Sequence, residues 1–181
     1  GGSNLAVGHK ALTSSTTASN NTAVGRDAMR DTTTGTQNVA LGTAALYTNS
    51  TGNNNTAIGF QALALSTTAS SNTALGFDAL KVATTGNSNV AIGPSALDAL
   101  TTANSCVGIG VNAAGKVTTG NSNFAIGNSA GDNVTTGSQN ISIGSDALSS
   151  INTGSRNIAI GHTAMSQATG ATHDNVVVGL Q

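Results

Sequence analysis

The chain is short of charge. Asp, Lys and Arg together make up 7% of its 181 residues, and Glu is absent. With a net charge of −1 there is no broad field to draw in nucleic acid or an anionic membrane. Aromatic residues make up 2% and Trp is absent. Cysteine occurs once, at Cys106. A lone cysteine closes no intrachain disulfide and leaves the redox compartment open. Its plain reading is a small buried side chain rather than a functional thiol. No apolar stretch approaches the roughly 20 residues of a membrane helix, so no membrane insertion is expected. No signal peptide is visible. The chain begins Gly1-Gly2-Ser3-Asn4, without Met, so its true start is expected to lie upstream.

What is present is Gly, Ala, Ser, Thr and Asn in a strict period. The segment "NTAIGFQAL" at residues 55–63 returns as "NTALGFDAL" at 72–80. The glycine after each such Ala-aliphatic pair falls at Gly8, Gly25, Gly42, Gly59, Gly76, Gly93, Gly110, Gly127, Gly144, Gly161 and Gly179. Successive gaps are 17 residues, and the last is 18. The chain therefore reads as ten copies of one unit plus a partial eleventh, a single array over residues 4–181 with 1–3 as lead-in. Numbering the unit from its Asn, position 1 is Asn in every copy but the one that begins with Cys106. Position 3 is nearly always Ala, position 4 always branched aliphatic, position 8 always Ala, and position 9 usually Leu or Met. Positions 13–15 read Thr-Thr-Gly or a close variant, as in Thr84-Thr85-Gly86.

Seventeen residues are too few for a helical repeat. In an extended segment, positions 2 and 4 share one face and positions 1 and 3 the other. The flanking Gly, Asn, Ser and Thr are turn formers. Each unit is expected to form a short strand, a turn, a second short strand and a long turn. Stacked in register, the units make an all-β, parallel β-solenoid with one coil every ~4.8 Å, a rod about 48 Å long for ten coils. The aliphatics at 4 and 9 are expected to form two interior ridges. Asn21, Asn38, Asn55, Asn72 and Asn89 are expected to stack as an amide ladder. Gly25, Gly42, Gly59, Gly76 and Gly93 supply a turn conformation closed to residues with a Cβ. A disordered chain of this composition has no reason to keep an aliphatic in phase through eleven copies.

Each coil offers about three sizeable apolar side chains for seventeen ordered residues, a thin core that makes oligomerisation the natural remedy. The alanines at 3 and 8 are expected to face outward against another chain; the alternative is that they fit a narrow interior. The array begins and ends within a repeat, as a segment of a longer fibre does.

The motif "NTAIGxxAL" or "NVAIGxxAL", at residues 55–63 and 89–97, resembles the head repeats of trimeric autotransporter adhesins of the YadA type. Gly52-Asn53-Asn54-Asn55-Thr56-Ala57-Ile58-Gly59 is similar to repeats of bacteriophage tail and collar fibres. The resemblance spans essentially residues 4–179. It implies a homotrimer of left-handed parallel β-rolls and a passive fibre on a virion or cell surface. The commonest bacterial head repeat is shorter by about three residues; the extra length here falls in positions 10–15.

Several catalytic patterns occur by register alone. Gly127 to Gly131 matches G-x-S-x-G, with Asp146 and His162 following, but Gly127 is the repeat glycine and no strand–turn–helix surrounds Ser129. Gly108 to Ala113 and Gly110 to Val117 approach dinucleotide and P-loop patterns without the helix that would hold phosphate. The three histidines are scattered and the aspartates lack calcium-loop spacing. No enzymatic activity, cofactor or metal is expected. Glycosylation acceptors such as Asn20, Asn49, Asn54 and Asn133 arise by chance in an Asn/Thr-rich chain.

Function in such a lattice belongs at the variable positions 6, 7 and 10–12. Phe60 and Phe77 are expected to stack one coil apart, as a sugar-stacking or receptor patch or as padding for a loop or chain interface. Arg30 is expected beside Tyr47, as a further candidate receptor contact or as a cation–π contact of purely structural value, and Lys81 in a weak surface ion pair with Asp98. The Thr rows at 13 and 14 suggest an ice-binding face, weakened because adjacent threonines place only one hydroxyl per coil outward. The expected function is a rigid spacer or receptor-binding segment of a phage tail or collar fibre. A bacterial adhesin head is the second reading, with a glycan or protein receptor as partner in either case.

Overall fold

A computed structural model describes residues 2–168 and 171–180. Eleven three-residue strands, from Leu5–Val7 to Val176–Val178, form one sheet in chain order. Every pairing is parallel and in repeat register: Ala23 lies beside Ala40, Ala40 beside Ala57, Ala57 beside Ala74. The 18-residue last unit keeps the register, with Ile158 beside Val176. The chain is thus a β-solenoid of about ten turns. Each coil carries one strand, where two were expected; the remainder of the coil is a succession of turns.

Two conformational devices bend the coil. The strand ends at the position-5 glycine, whose φ lies between 124° and 143°. A Cβ added at Gly59 would stand 2.4 Å from the carbonyl oxygen of Gly76 in the next coil. Both the dihedral and the stacking distance therefore require glycine. Positions 7, 9 and 17 are left-handed with ordinary side chains, as at Asp27, Met29 and Gln37. Such residues cost about 1–2 kcal/mol each. Their amides are turned along the stacking direction and bond to adjacent coils: Asp27 to His9 O at 2.8 Å, Met29 to Ala45 O at 3.0 Å, Gln37 to Ser19 O at 3.1 Å.

The interior holds positions 1, 3, 8, 9, 12 and 15. Leu46, Leu63, Leu80 and Leu97 are fully buried, as position 9 was expected to be. The strand, however, faces the opposite way from the expectation. Ala23, Ala40, Ala57, Ala74 and Ala91 point inward and are fully buried, as are Ala28, Ala45, Ala62, Ala79 and Ala96 at position 8. The position-4 aliphatics point outward, with Leu41 46% and Leu75 43% exposed. The cause is room. The left-handed residues at 7 and 9 fold the chain back beneath the strand, so the position-9 side chain fills the space. At Gly108, which stands in row 3, a Cβ would lie 2.8 Å from Ala113 O and 2.9 Å from Leu97 Cγ. There even an alanine Cβ would crowd its neighbours; elsewhere Ala is the usual limit of the row, with Ser142 standing beside Gly131, the glycine of row 9, and Val177 in the last coil.

Position 12, read from the sequence as variable and free, is also interior. It runs Thr32, Asn49, Ser66, Ala83, Leu100, Val117, Val134, Ile151, all buried.

The asparagine ladder forms, and it does more than join side chains. Asn72 accepts from the Asn89 amide at its Oδ1 (2.9 Å) and donates from Nδ2 to Gly86 O (2.9 Å), across the width of its own coil. A weaker Nδ2–Oδ1 contact of 3.3 Å links it to Asn55. Each Asn before Asn175 therefore ties its own coil closed and holds the next one in register. Cys106 keeps half of this role. Its amide donates to Asn89 Oδ1 (2.9 Å) and its thiol to Gly120 O (3.3 Å), but it has no amide oxygen to offer Asn123.

Candidate functional site

The outward face of the sheet is built from positions 2 and 4. Row 4 is Val7, Val24, Leu41, Ile58, Leu75, Ile92, Ile109, Ile126, Ile143, Ile160 and Val178. Row 2 varies among Leu, Thr, Val, Phe and Ile, and neither row carries a charge. All these side chains are half-buried or exposed. Eleven strands about 4.8 Å apart make a stripe some 50 Å long. At a width of about 10 Å its area is on the order of 500 Å², the size of a patch that marks an interaction surface. The sequence did hold a signal for this face. Row 2 accepts side chains from Thr to Phe, whereas row 3 is held almost throughout to Ala, Gly or Ser. Tolerance of size belongs to an open face, and restriction to a packed one.

The predicted contacts among variable residues fare unequally. Phe60 and Phe77 do stack, with centroids 5.5 Å apart and planes 8° from parallel. They are 44% and 54% exposed and are followed in their row by exposed Pro94 and Val111. Their facing ring surfaces are engaged with each other. Arg30 lies over Tyr47, 3.9 Å from the ring centroid. Its guanidinium also forks onto Asp31, with Nε–Oδ1 and Nη2–Oδ2 both 2.9 Å, and this pairing raises its pKa. Arg30 is thus held from two sides.

The Lys81–Asp98 pair is not formed. Lys81 bonds Asp78 at 3.1 Å, three residues back in its own coil, because the left-handed residue at position 7 brings that carboxylate under position 10. Asp98 instead faces Asp132 across Gly115. Their Oδ1 atoms lie 3.4 and 3.0 Å from where a Gly115 Cβ would stand. Partial burial, and then the Asp132 charge, push the Asp98 carboxyl above its ordinary pKa. Lys116 turns to Asp132 (3.1 Å) and Asn133 (2.7 Å). Asp98, Gly115, Lys116 and Asp132 line an open hollow of about 480 Å³ with Ala99 and Asn112.

The threonine rows divide as adjacency requires. At position 13 the hydroxyls of Thr33, Thr84, Thr101, Thr118 and Thr135 donate to carbonyls of the next coil at 3.0–3.2 Å. At position 14 an unbroken file from Thr17 through Thr34, Thr51, Thr68, Thr85, Thr102, Thr119 and Thr136 to Thr153 is exposed. In the G-x-S-x-G segment, Ser129 donates to adjacent Asn128 (2.9 Å), and Asp146 accepts from adjacent Ser145 (3.0 Å).

No family model, curated protein or solved structure matches the chain.

Proposed function

We propose that the chain is a rod segment of a homotrimeric attachment fibre, borne on a virion or cell surface, with a phage tail or collar fibre as the first reading. The observation that carries this is the uncharged apolar stripe running the length of the sheet. A partner that covers it must repeat with the same ~4.8 Å pitch over the same length. A second copy of the chain meets that condition. Three copies closed about an axis parallel to the rod cover one another's stripes and leave none open. The resemblance to trimeric adhesin and phage-fibre repeats supports the same number and left-handed coils. A bacterial adhesin head fits the same geometry.

The role is mechanical. Hydrogen bonds along the stacking direction join every coil to the next, so bending the rod strains many bonds together. Such a rod holds a receptor-binding tip away from its anchor, and three copies multiply weak contacts to a glycan or protein receptor. Phe60 and Phe77, already engaged face to face, suit padding between chains better than stacking on a sugar ring. Arg30 and Tyr47, held to each other, serve the rod. The exposed threonine file favours a third reading, ice binding, for which thermal hysteresis of the purified chain is the direct test.

Sedimentation equilibrium tests the main reading. The expected species contains three chains of 17.5 kDa. A folded, strand-rich monomer at micromolar concentration overturns it.

A further inference from the structure

The interior row at position 12 changes character along the rod. From Leu100 onward it is apolar: Leu100, Val117, Val134, Ile151. In three successive earlier coils it is polar and fully buried: Thr32, Asn49 and Ser66. The oxygen atoms Thr32 Oγ1, Asn49 Oδ1 and Ser66 Oγ have no hydrogen-bonding partner in the protein. Asn49 Nδ2 is satisfied by Gly52 O at 3.0 Å, which leaves the carbonyl end of that amide unmet.

The coils cannot close on the short side chains of Thr32 and Ser66, whereas Asn49, close to Leu in shape, fills its own place, its Nδ2 3.1 Å from where a Cβ on Gly35 would stand. Backbone bonds beside the row hold the same pitch in both regions. Thr33 N–Ser50 O and Ser50 N–Thr67 O are each 3.0 Å, as is Thr101 N–Thr118 O in the apolar part. The turn that presents the row is also constant, with Ser66 N–Leu63 O at 3.3 Å and Leu100 N–Leu97 O at 3.1 Å. A serine therefore stands in a coil whose backbone, two coils on, accommodates a leucine. The difference exceeds the roughly 30 Å³ that one water occupies in the liquid. The row is stoppered at one end. Leu100 leans back toward the preceding coil, its Cδ2 2.8 Å from where a Cβ on Gly86 would stand, and so closes the file over Ala83. At the other end the row continues to half-buried Ser15.

We infer that the polar half of row 12 is a water site: a short file of ordered waters inside the solenoid, bound by Thr32, Asn49 and Ser66, open toward Ser15 and closed by Leu100. The chemistry suits water rather than an ion. All three groups are neutral, two hydroxyls donate as well as accept, and the amide oxygen accepts. Buried oxygens spaced by one coil are too far apart to bond each other directly, and a bridging molecule satisfies two at once. No charged side chain lies in the row.

Two measurements test this on the whole chain, in whatever oligomeric state it adopts. Water-oxygen magnetic relaxation dispersion counts long-lived internal waters. The double variant Thr32→Val, Ser66→Ala removes two of the three anchors with little change of shape. Its dispersion amplitude is expected to fall by the contribution of about two waters per chain. An unchanged amplitude in a variant with wild-type strand circular dichroism overturns the site. A high-resolution crystal structure of the wild-type chain decides independently of how the variant folds. Ordered density within hydrogen-bonding distance of Thr32 Oγ1, Asn49 Oδ1 and Ser66 Oγ is expected. Finding those three atoms bonded only to protein groups sinks it.

Discussion

Gly59 shows how one residue type can be demanded twice. Its φ of 132° excludes side chains, and the Gly76 carbonyl occupies the place a Cβ would take. Gly59→Ala is expected to cost at least about 3 kcal/mol in chemical denaturation, since both strain and a backbone clash must be relieved. Cys106 is the opposite case, a residue weaker than the one its row prefers. Burial pushes its thiol above the ordinary 9.0, with the Asn123 and Ser122 amides drawing it partly back. Because the fold favours the neutral thiol, its contribution is fully present below the unfolded pKa and is lost as pH rises through the folded one. Wild-type stability is therefore expected to fall above about pH 9 relative to Cys106→Asn. At neutral pH that variant restores the missing amide oxygen and gains about 1 kcal/mol. Denaturation midpoints of the two proteins, measured across pH, check both statements.

At the scale of the coil, the asparagine ladder was legible from composition and period, but its division of labour was not. The sequence suggests side chains bonding to side chains. In the structure the shorter bonds run to backbone, as Asn72 does with the Asn89 amide and the Gly86 carbonyl. Asn72→Ala leaves both of those buried groups unmet, and a loss of about 3 kcal/mol is expected in chemical denaturation. The same substitution at exposed Asn87 is expected to cost under 1 kcal/mol, since water replaces its bonds. The left-handed leucines were not legible at all. Leu46 at φ 52° contradicts its own preference, and only the bond from its amide to Ala62 O (3.0 Å) and its complete burial hold it there. No single coil supplies that bond, because its acceptor belongs to the next.

At the scale of the whole molecule, the stripe decides how rods meet. Ile92→Lys combined with Ile126→Lys places two charges per chain where three chains are proposed to converge. Sedimentation is expected to show the trimer dissociating or failing to assemble. Thr102→Ala, in the exposed threonine file at position 14, is expected to leave assembly unchanged. A charged stripe that still sediments as a trimer would place the contact on another face. The proposed contact also explains why rows 2 and 4 are free of charge although they are not interior to any one coil.

The period, the strand at positions 2–4, the stacking register and the glycine corners follow from the sequence alone, because a one-dimensional lattice repeats its chemistry wherever it repeats its geometry; the second strand expected in each coil is a turn instead. Which side of each strand is the inside does not follow. Alternation separates positions 2 and 4 from positions 1 and 3, but it carries no sign. The sign is set by segment 6–9, whose left-handed residues fold back beneath the strand and bring Leu97 within reach of Gly108. That closure leaves room for Ala on the strand's inner face and turns its Val, Ile and Leu outward, while the position-9 leucines fill the interior behind it.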